Sequence, residues 1–314
     1  MRITESKSRG DGPGSPRPIV VKVGTTTLCG DDRRPLPGRL SAIVGQLAAL
    51  HRSGRSLVLV TSGAIATGGA ALAQAGSPSL AERQALAAVG QPLLMRDYAR
   101  RFAKYGIRVA QLLLTADDLA VRRRYLNARN TVVALHRRRI IPIVNENDTV
   151  ATDEIRIGDN DTLSAQVAIL VAADLLCILS DVNGLYTGDP RRDPAARPIP
   201  EVTAITPEIE RAARRTMSAV GTGGMSTKVA AARLATAAGC TVVVTDGRTP
   251  RVLQRVAGGE RLGTWFLPAP RAVAGRKRWL VASVRARGRI VVDDGAAQAL
   301  RERGRSLLPS GISE

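Results

Sequence analysis

Aromatic residues make up only 3% of this 314-residue chain; histidine occurs 2 times and cysteine 3 times. A core poor in rings has to be assembled from Val, Ile, Leu and Ala, and a hydrophobic content of 44% is ample for that. Both histidines, His51 and His136, fall in predicted helices beside arginine and are expected on the surface. A Ser-His-Asp hydrolase therefore has little to work with. Cys29, Cys177 and Cys240 share no metal-binding or redox spacing. Cys177 and Cys240 lie in or beside apolar runs and read as small core residues, which fits a reducing cytoplasm. No apolar run approaches the ~20 residues that span a bilayer. Residues 1–17 carry Ser, Gly, Pro and charge with no apolar stretch, so they are expected to be a disordered lead-in, not a secretory signal.

Acidic residues are also scarce relative to basic ones, and the formal charge is +19. Such a balance governs solubility and the attraction of anions, not the fold. Much of it is Arg on predicted helix surfaces, as in Arg122-Arg123-Arg124 and Arg137-Arg138-Arg139, with no aromatic cluster of the kind that stacks on bases. Solvated faces are the simpler explanation, and RNA is not expected as a partner. A nucleotide or an acidic metabolite still benefits from the positive field.

What the chain has in abundance is alternation. Short β-branched runs at 19–23, 57–61, 108–114, 140–144, 175–179 and 241–245 alternate with helical stretches at 39–51, 80–105, 123–138, 162–172 and 228–238. The runs are apolar throughout, the pattern of strands covered on both faces. Gly54 and Gly239 stand where helix C-caps belong, and Thr115 with Asp118 forms a capping-box pattern. The fold class is α/β: an open, mainly parallel sheet sandwiched by helices. In such sheets ligands bind beyond the carboxyl ends of the strands. Those ends read Lys22-Val23-Gly24-Thr25-Thr26, Thr61-Ser62-Gly63-Ala64, Asn145-Glu146-Asn147-Asp148, Ser180-Asp181-Val182-Asn183-Gly184 and Thr245-Asp246-Gly247. So many small polar residues along one edge read as a site.

Three motifs carry chemistry. Gly221-Thr222-Gly223-Gly224-Met225-Ser226-Thr227-Lys228 offers glycines that let backbone N–H groups approach phosphate, three hydroxyls, and a lysine at a helix start. It is neither a Walker A loop nor a G-x-G-x-x-G turn, because Thr227 precedes the lysine and Ser226 takes the third glycine position. A glycine run alone is explained by a flexible capping loop; the lysine and hydroxyls point to phosphate. Lys22 stands in the first strand directly before Gly24, where a buried lysine needs a partner; a snorkelling edge lysine is the alternative. Gly158-Asp159-Asn160-Asp161 precedes an apolar helix. Asp161 either caps that helix, binds a metal, or holds two lysines that would otherwise repel at a phosphate. Phosphoryl transfer asks mainly for positioning and charge neutralisation. A carboxylate acceptor, with a pKa of ~4.3, needs no base, which suits a chain with so little histidine.

Together these stretches resemble the amino acid kinase superfamily and, within it, the glutamate 5-kinase (γ-glutamyl kinase) family. The matching pieces are Val20-Val21-Lys22-Val23-Gly24-Thr25, Val60 to Ala66, Val144 to Ala151, Gly158 to Asp161, Gly184-Leu185-Tyr186-Thr187 with Asp189-Pro190-Arg191, and Gly221 to Lys228, in family order over residues 18–267. The resemblance implies ATP plus L-glutamate giving L-glutamyl 5-phosphate, the first step of proline synthesis. It also implies Lys22 and Lys228 on the transferring phosphoryl group, with Asp161 holding them in register. Ser62, Asp148 and Asn160 are implied at the glutamate. Ser180, Asp181 and the residues Thr222, Gly223, Gly224, Met225, Ser226, Thr227 and Lys228 are implied at the nucleotide, with Lys22. The family usually has Thr where this chain has Ser180. Mg2+ is implied on the phosphates, largely water-coordinated, without a dedicated protein metal site. Proline feedback inhibition and a homodimer or homotetramer follow from the same resemblance, and because the product would be a labile acyl phosphate, hand-off to a downstream glutamyl phosphate reductase is expected.

In the tail, Arg276-Lys277-Arg278-Trp279, Val291-Val292-Asp293-Asp294-Gly295-Ala296 and Ser306-Leu307-Leu308-Pro309-Ser310-Gly311-Ile312 resemble the opening half of a PUA domain. The expected layout is therefore an N-terminal extension at 1–17, the kinase domain at 18–267, a linker at 268–275 and a partial PUA-like segment at 276–314. Two other readings differ in kind. One is a sibling kinase acting on another carboxylate or a carbamate; the other is an RNA-binding module built on the PUA-like tail.

Overall fold

A computed structural model of the chain describes residues 17–30, 36–74, 76–150, 159–215, 224–269, 279, 290–303, 307 and 312. All of the expected lead-in but Arg17, residues 270–275 of the linker and most of the PUA-like segment lie outside these residues. The chain divides into two compact units, Met1–Ser283 and Val284–Glu314.

Along the first unit run β1 (Ile19–Val23), α1 (Thr25–Leu28), α2 (Pro37–Arg52), β2 (Leu57–Thr61), α3 (Ala64–Ala71), α4 (Leu80–Ala103), β3 (Val109–Leu114), α5 (Ala116–Ala120), α6 (Arg122–Arg137) and β4 (Ile141–Glu146). There follow α7 (Asp159–Leu170), β5 (Leu175–Ser180), β6 (Leu185–Tyr186), β7 (Pro198–Ile199), β8 (Glu201–Val202), α8 (Pro207–Arg215), α9 (Met225–Ala237), β9 (Thr241–Asp246), α10 (Val252–Ala257) and β10 (Thr264–Phe266). The main sheet has 8 strands in the order β3-β4-β2-β1-β5-β9-β10-β8, and β6 pairs with β7 separately. All main-sheet pairs are parallel except β9 with β10.

β1, β2, β4 and β5 are buried along their whole length. Their residues alternate between two cores. Ile19, Val21 and Leu57 pack with α2, α4 and α10 on one face. Val20, Val58 and Val60 pack with α6, α7, α8 and α9 on the other. This alternation decides where Lys22 goes. It shares a face with Val20, the face covered by α7 and α9.

The expected strands and helices appear within a few residues of their predicted ends. Gly54 and Gly239 take positive φ at helix ends, and Thr115 with Asp118 forms a reciprocal capping box. The expectation for the histidines was wrong. His51 is buried, and His136 Nε2 lies 2.9 Å from the carbonyl oxygen of Leu57. Leu57 opens β2, so this histidine belongs to the amino edge of the sheet, away from the strand ends that form a site. Burial pushes both imidazoles below their ordinary value.

Three features gave no clear sequence signal. The strands β6, β7, β8 and β10 are only two or three residues long. Helix α3 contains Gly68 and Gly69, poor helix formers in isolation. Trp279 Nε1 donates to the carbonyl oxygen of Leu119 at 3.2 Å, while Arg122 lies over its ring.

In the second unit, Asp293 caps α11 (Asp294–Arg303) by accepting from the backbone N–H of Ala296 at 2.7 Å, and Val292 bridges Ile312.

Candidate active site

The site grows from the carboxyl edge around β1, the strand flanked by β2 on one side and β5 on the other. Lys22 is the fourth residue of β1, level with Val60 and Ile178. Its Nζ lies 2.7 Å from Asp161 Oδ1. A β-carbon at Gly24 would stand 3.3 Å from that same Nζ, so the small residue after the strand leaves the ammonium room.

Asp161 is in the first turn of α7, three residues into the helix, and is neither its cap nor ahead of it. Its backbone carbonyl accepts from Ser164 Oγ at 2.6 Å. Lys228 reaches its other carboxylate oxygen, Oδ2, at 3.2 Å, and Thr227 Oγ1 donates to Oδ2 at 2.7 Å. Lys228 is the fourth residue of α9, which begins at Met225 instead of at the lysine. Gly224 takes the N-cap position and Met225 is buried, so the hydrophobic anchor of the helix lies one turn earlier than the lysine suggests.

Lys22, Asp161 and Lys228 are all buried. Burial alone would raise the Asp161 pKa, but the two lysine charges more than offset it and hold the carboxyl below its usual range. For Lys228, burial outweighs the attraction of Asp161, and Lys22 adds to the downward shift. Two ammonium groups on one carboxylate leave a net positive charge in a low-dielectric place, a charge ready for an anion.

A second cluster adjoins the first through the neighbouring residue. Asn160 Nδ2 donates to Ser62 Oγ at 2.9 Å and to Asn145 Oδ1 at 3.1 Å. The backbone N–H of Ser62 donates to the carbonyl of Val23, tying the ends of β2 and β1 together. Asp148 is half-buried in the turn that follows β4 along the same edge.

The third cluster follows β5. Ser180 is buried, and its hydroxyl lies 3.2 Å from Asp181 Oδ1. Asp181 is close enough to Lys228 to favour its charged form. The Asp181 carbonyl accepts from Arg248, which also clamps Asp246 at the end of β9.

The structure thus brings Lys22, Asp161, Thr227 and Lys228 into one group, with Ser62 and Asn160 beside it and Ser180 and Asp181 next in line. At the start of α9, the N-cap Gly224 is half-buried, Ser226 is exposed and Thr227 is half-buried. Thr222 and Gly223 lie outside the described residues. Sequence reasoning missed Asn145 and Gln91 as supports of this edge. Asn145 carried a weak signal, since it opens the polar run at the end of β4. Gln91, in the middle of α4, carried none.

A buried pair of lysines sharing one carboxylate at the carboxyl edge of a parallel sheet is a positive site suited to an anionic group such as a phosphoryl, on a fold of the α/β class. The amino acid kinase family profile matches residues 17–246. The glutamate 5-kinase of Deinococcus radiodurans is 52% identical over 301 residues, covering 94% of this chain and 82% of that protein. Glutamate 5-kinases of Geobacter sp. strain M21 and Chromohalobacter salexigens are 49% and 48% identical over 94% and 99% of the chain. Among solved structures, carbamate kinase from Giardia lamblia bound to AMP-PNP aligns over 81% of the chain and 99% of its own, with TM-score 0.57 and 16% identity. The UMP kinase from Bacillus anthracis aligns over 80% and 96%, with TM-score 0.55 and 16% identity, a likeness of fold. The chain belongs to the amino acid kinase family and, within it, to the glutamate 5-kinases.

Proposed function

We infer that this chain transfers the γ-phosphoryl group of ATP to the γ-carboxylate of L-glutamate, giving ADP and L-glutamyl 5-phosphate, the first step of proline biosynthesis. The observation that carries this reading is the Lys22–Asp161–Lys228 clamp beside the Ser62–Asn160 pair. The acceptor carboxylate is ionised at neutral pH, so its oxygen attacks the γ-phosphorus without a base as the bond to the ADP oxygen breaks. Negative charge on the equatorial oxygens meets Lys22 and Lys228. Asp161 keeps the two ammonium groups in register and lowers their mutual repulsion.

Ser62, Asn160 and Asp148 bind the glutamate in this reading, Asp148 through the α-ammonium. Ser180 and Asp181 meet the nucleotide, and the first turn of α9 points its N–H groups at the phosphates. Asp161 is already engaged by two ammonium groups, so Mg2+ would be held mainly by the phosphates of the co-substrate and would supply charge neutralisation there. No described helix is long and apolar enough to cross a membrane. A cytoplasmic location, a homodimer or homotetramer, inhibition by proline and hand-off of the labile acyl phosphate to a reductase belong to the same proposal.

Trapping the product with hydroxylamine tests the reaction. L-Glutamate should give hydroxamate in the presence of MgATP while N-acetylglutamate gives none; the reverse preference would move the chain to a sibling activity.

A further inference from the structure

Beneath the Ser62–Asn160 pair runs a line of amide side chains that leads to the edge of the sheet. Asn160 Nδ2 donates to Asn145 Oδ1 at 3.1 Å. Asn145 Nδ2 donates to Gln91 Oε1 at 2.9 Å, and Gln91 Nε2 donates to Gln111 Oε1 at 3.2 Å. The backbone N–H of Glu146 also donates to Asn145 Oδ1, at 3.0 Å. Asn145 is 1% exposed and Gln91 8%, whereas Gln111, on edge strand β3, is exposed.

A carboxamide has two ends of nearly equal size and opposite hydrogen-bonding character. Which end faces a substrate is therefore set by its partners. Here every link runs in the same sense, with the donor nearer the pocket and the acceptor nearer the edge. The consequence reaches Ser62. Its oxygen accepts from Asn160, so its own hydroxyl hydrogen is directed to another acceptor, such as a substrate carboxylate.

We propose that Gln91 is a positioning residue for the acceptor substrate: its Oε1, together with the backbone N–H of Glu146 on the other end of the amide, holds the orientation of Asn145, and through Asn145 and Asn160 makes Ser62 a hydrogen-bond donor. The proposal rests on reading Ser62 and Asn160 as the glutamate pocket. Its placement has a packing cause. The preceding residue, Gly90, lies so close to α3 that a β-carbon there would stand 1.8 Å from the carbonyl oxygen of Ala64, at the start of the helix that follows Ser62. That contact draws α4 toward the strand ends and sets Gln91 under them.

Replacing Gln91 with leucine keeps the bulk and removes the acceptor. Asn145 Nδ2 then has lost a buried partner, and a turned Asn145 would set its NH2 against that of Asn160. Glutamate at this position restores acceptors to Asn145, and exposed Gln111 can rotate to donate to it. The test is steady-state kinetics of hydroxamate formation by the full chain. For Q91L we expect the KM for L-glutamate to rise about tenfold, with kcat and the KM for ATP within about threefold of wild type. Q91E should bring the glutamate KM back to within about threefold, and Q111L should raise it about two- to threefold.

A glutamate KM for Q91L equal to that of wild type would overturn the proposal. So would a Q91E variant that folds yet binds glutamate no better than Q91L, since loose packing alone predicts that pattern. If Q91L does not fold, Q111L decides, because its site is exposed and a wild-type glutamate KM there removes the relay. A wild-type chain that forms no hydroxamate from glutamate fails the functional reading instead, before any variant is compared.

Discussion

Lys22 and Lys228 meet on opposite oxygens of the Asp161 carboxylate, at 2.7 and 3.2 Å, although one comes from the first strand and the other from the ninth helix. In the proposed reaction each ammonium meets the charge that grows during transfer. Lys22→Ala and Lys228→Ala should therefore each lower kcat by about 10²-fold or more, with smaller changes in the KM for glutamate. Initial rates at saturating ATP and glutamate check this, and a variant with wild-type kcat would remove its lysine from the mechanism.

Asp161→Asn removes the carboxylate charge while keeping the shape. Two buried ammonium groups then face each other, so the variant should melt below wild type at pH 7 and regain ground as pH rises and a lysine deprotonates. The wild-type chain should instead change in the acid window, where its stability falls as pH falls. Its Asp161 carboxyl is held below the usual range, so the stabilisation is present above the ordinary carboxylate pKa and lost as pH falls through the folded value. Melting temperatures of both proteins from pH 3 to pH 10 decide the matter. Parallel curves would mean that the clamp contributes nothing.

Gly90→Ala and Gly68→Ala probe the α3–α4 crossing. A β-carbon at Gly68 would stand 1.9 Å from the Leu86 carbonyl oxygen, and one at Gly90 is similarly placed against Ala64. Both obstacles are backbone, so the helices must part. Each variant should lose at least about 3 kcal/mol, a fall of about 6 °C or more in Tm. A Tm within a degree of wild type would show that the crossing is looser than its geometry.

Ser79→Ala serves as a contrast. Ser79 and Glu82 exchange hydrogen bonds at the start of α4, on the surface and away from the strand ends. Losing that cap should cost about 1 kcal/mol. The kinetic constants should stay at wild-type values, and a raised KM would tie α4 to the pocket more tightly than Gln91 alone requires.

The cysteines should be silent in the folded protein. Cys29, Cys177 and Cys240 are all buried, and burial pushes the Cys177 thiol up to about 12. A thiol reagent at pH 8 should label none of them until denaturant is added, because the thiolate is the reactive form. Rapid labelling of the native protein would contradict the burial of these thiols.

The sequence by itself determined the layers, the parallel sheet and the edge at which the small polar residues gather. Unbroken apolar runs such as Leu57–Thr61 and Leu175–Ser180 can only be satisfied by cover on both faces, and that requirement is local to each run. It also exposed Lys22, since a lysine among Val20, Val21 and Val23 demands a partner. What it left open was the partner. Asp161 was equally readable as a helix cap, and its role was decided by α7 and α9 packing on the same face of β1, a relationship between segments far apart in the chain. The histidines show the same limit in reverse: His51 and His136 read as surface residues because their neighbours are arginines, yet burial follows from how α2 and α6 lie on the sheet. Gln91 is the clearest case. Nothing in its helix marks it, and only the close crossing at Gly90 brings its amide to Asn145, because hydrogen-bond direction is a property of partners in space and not of residues in order.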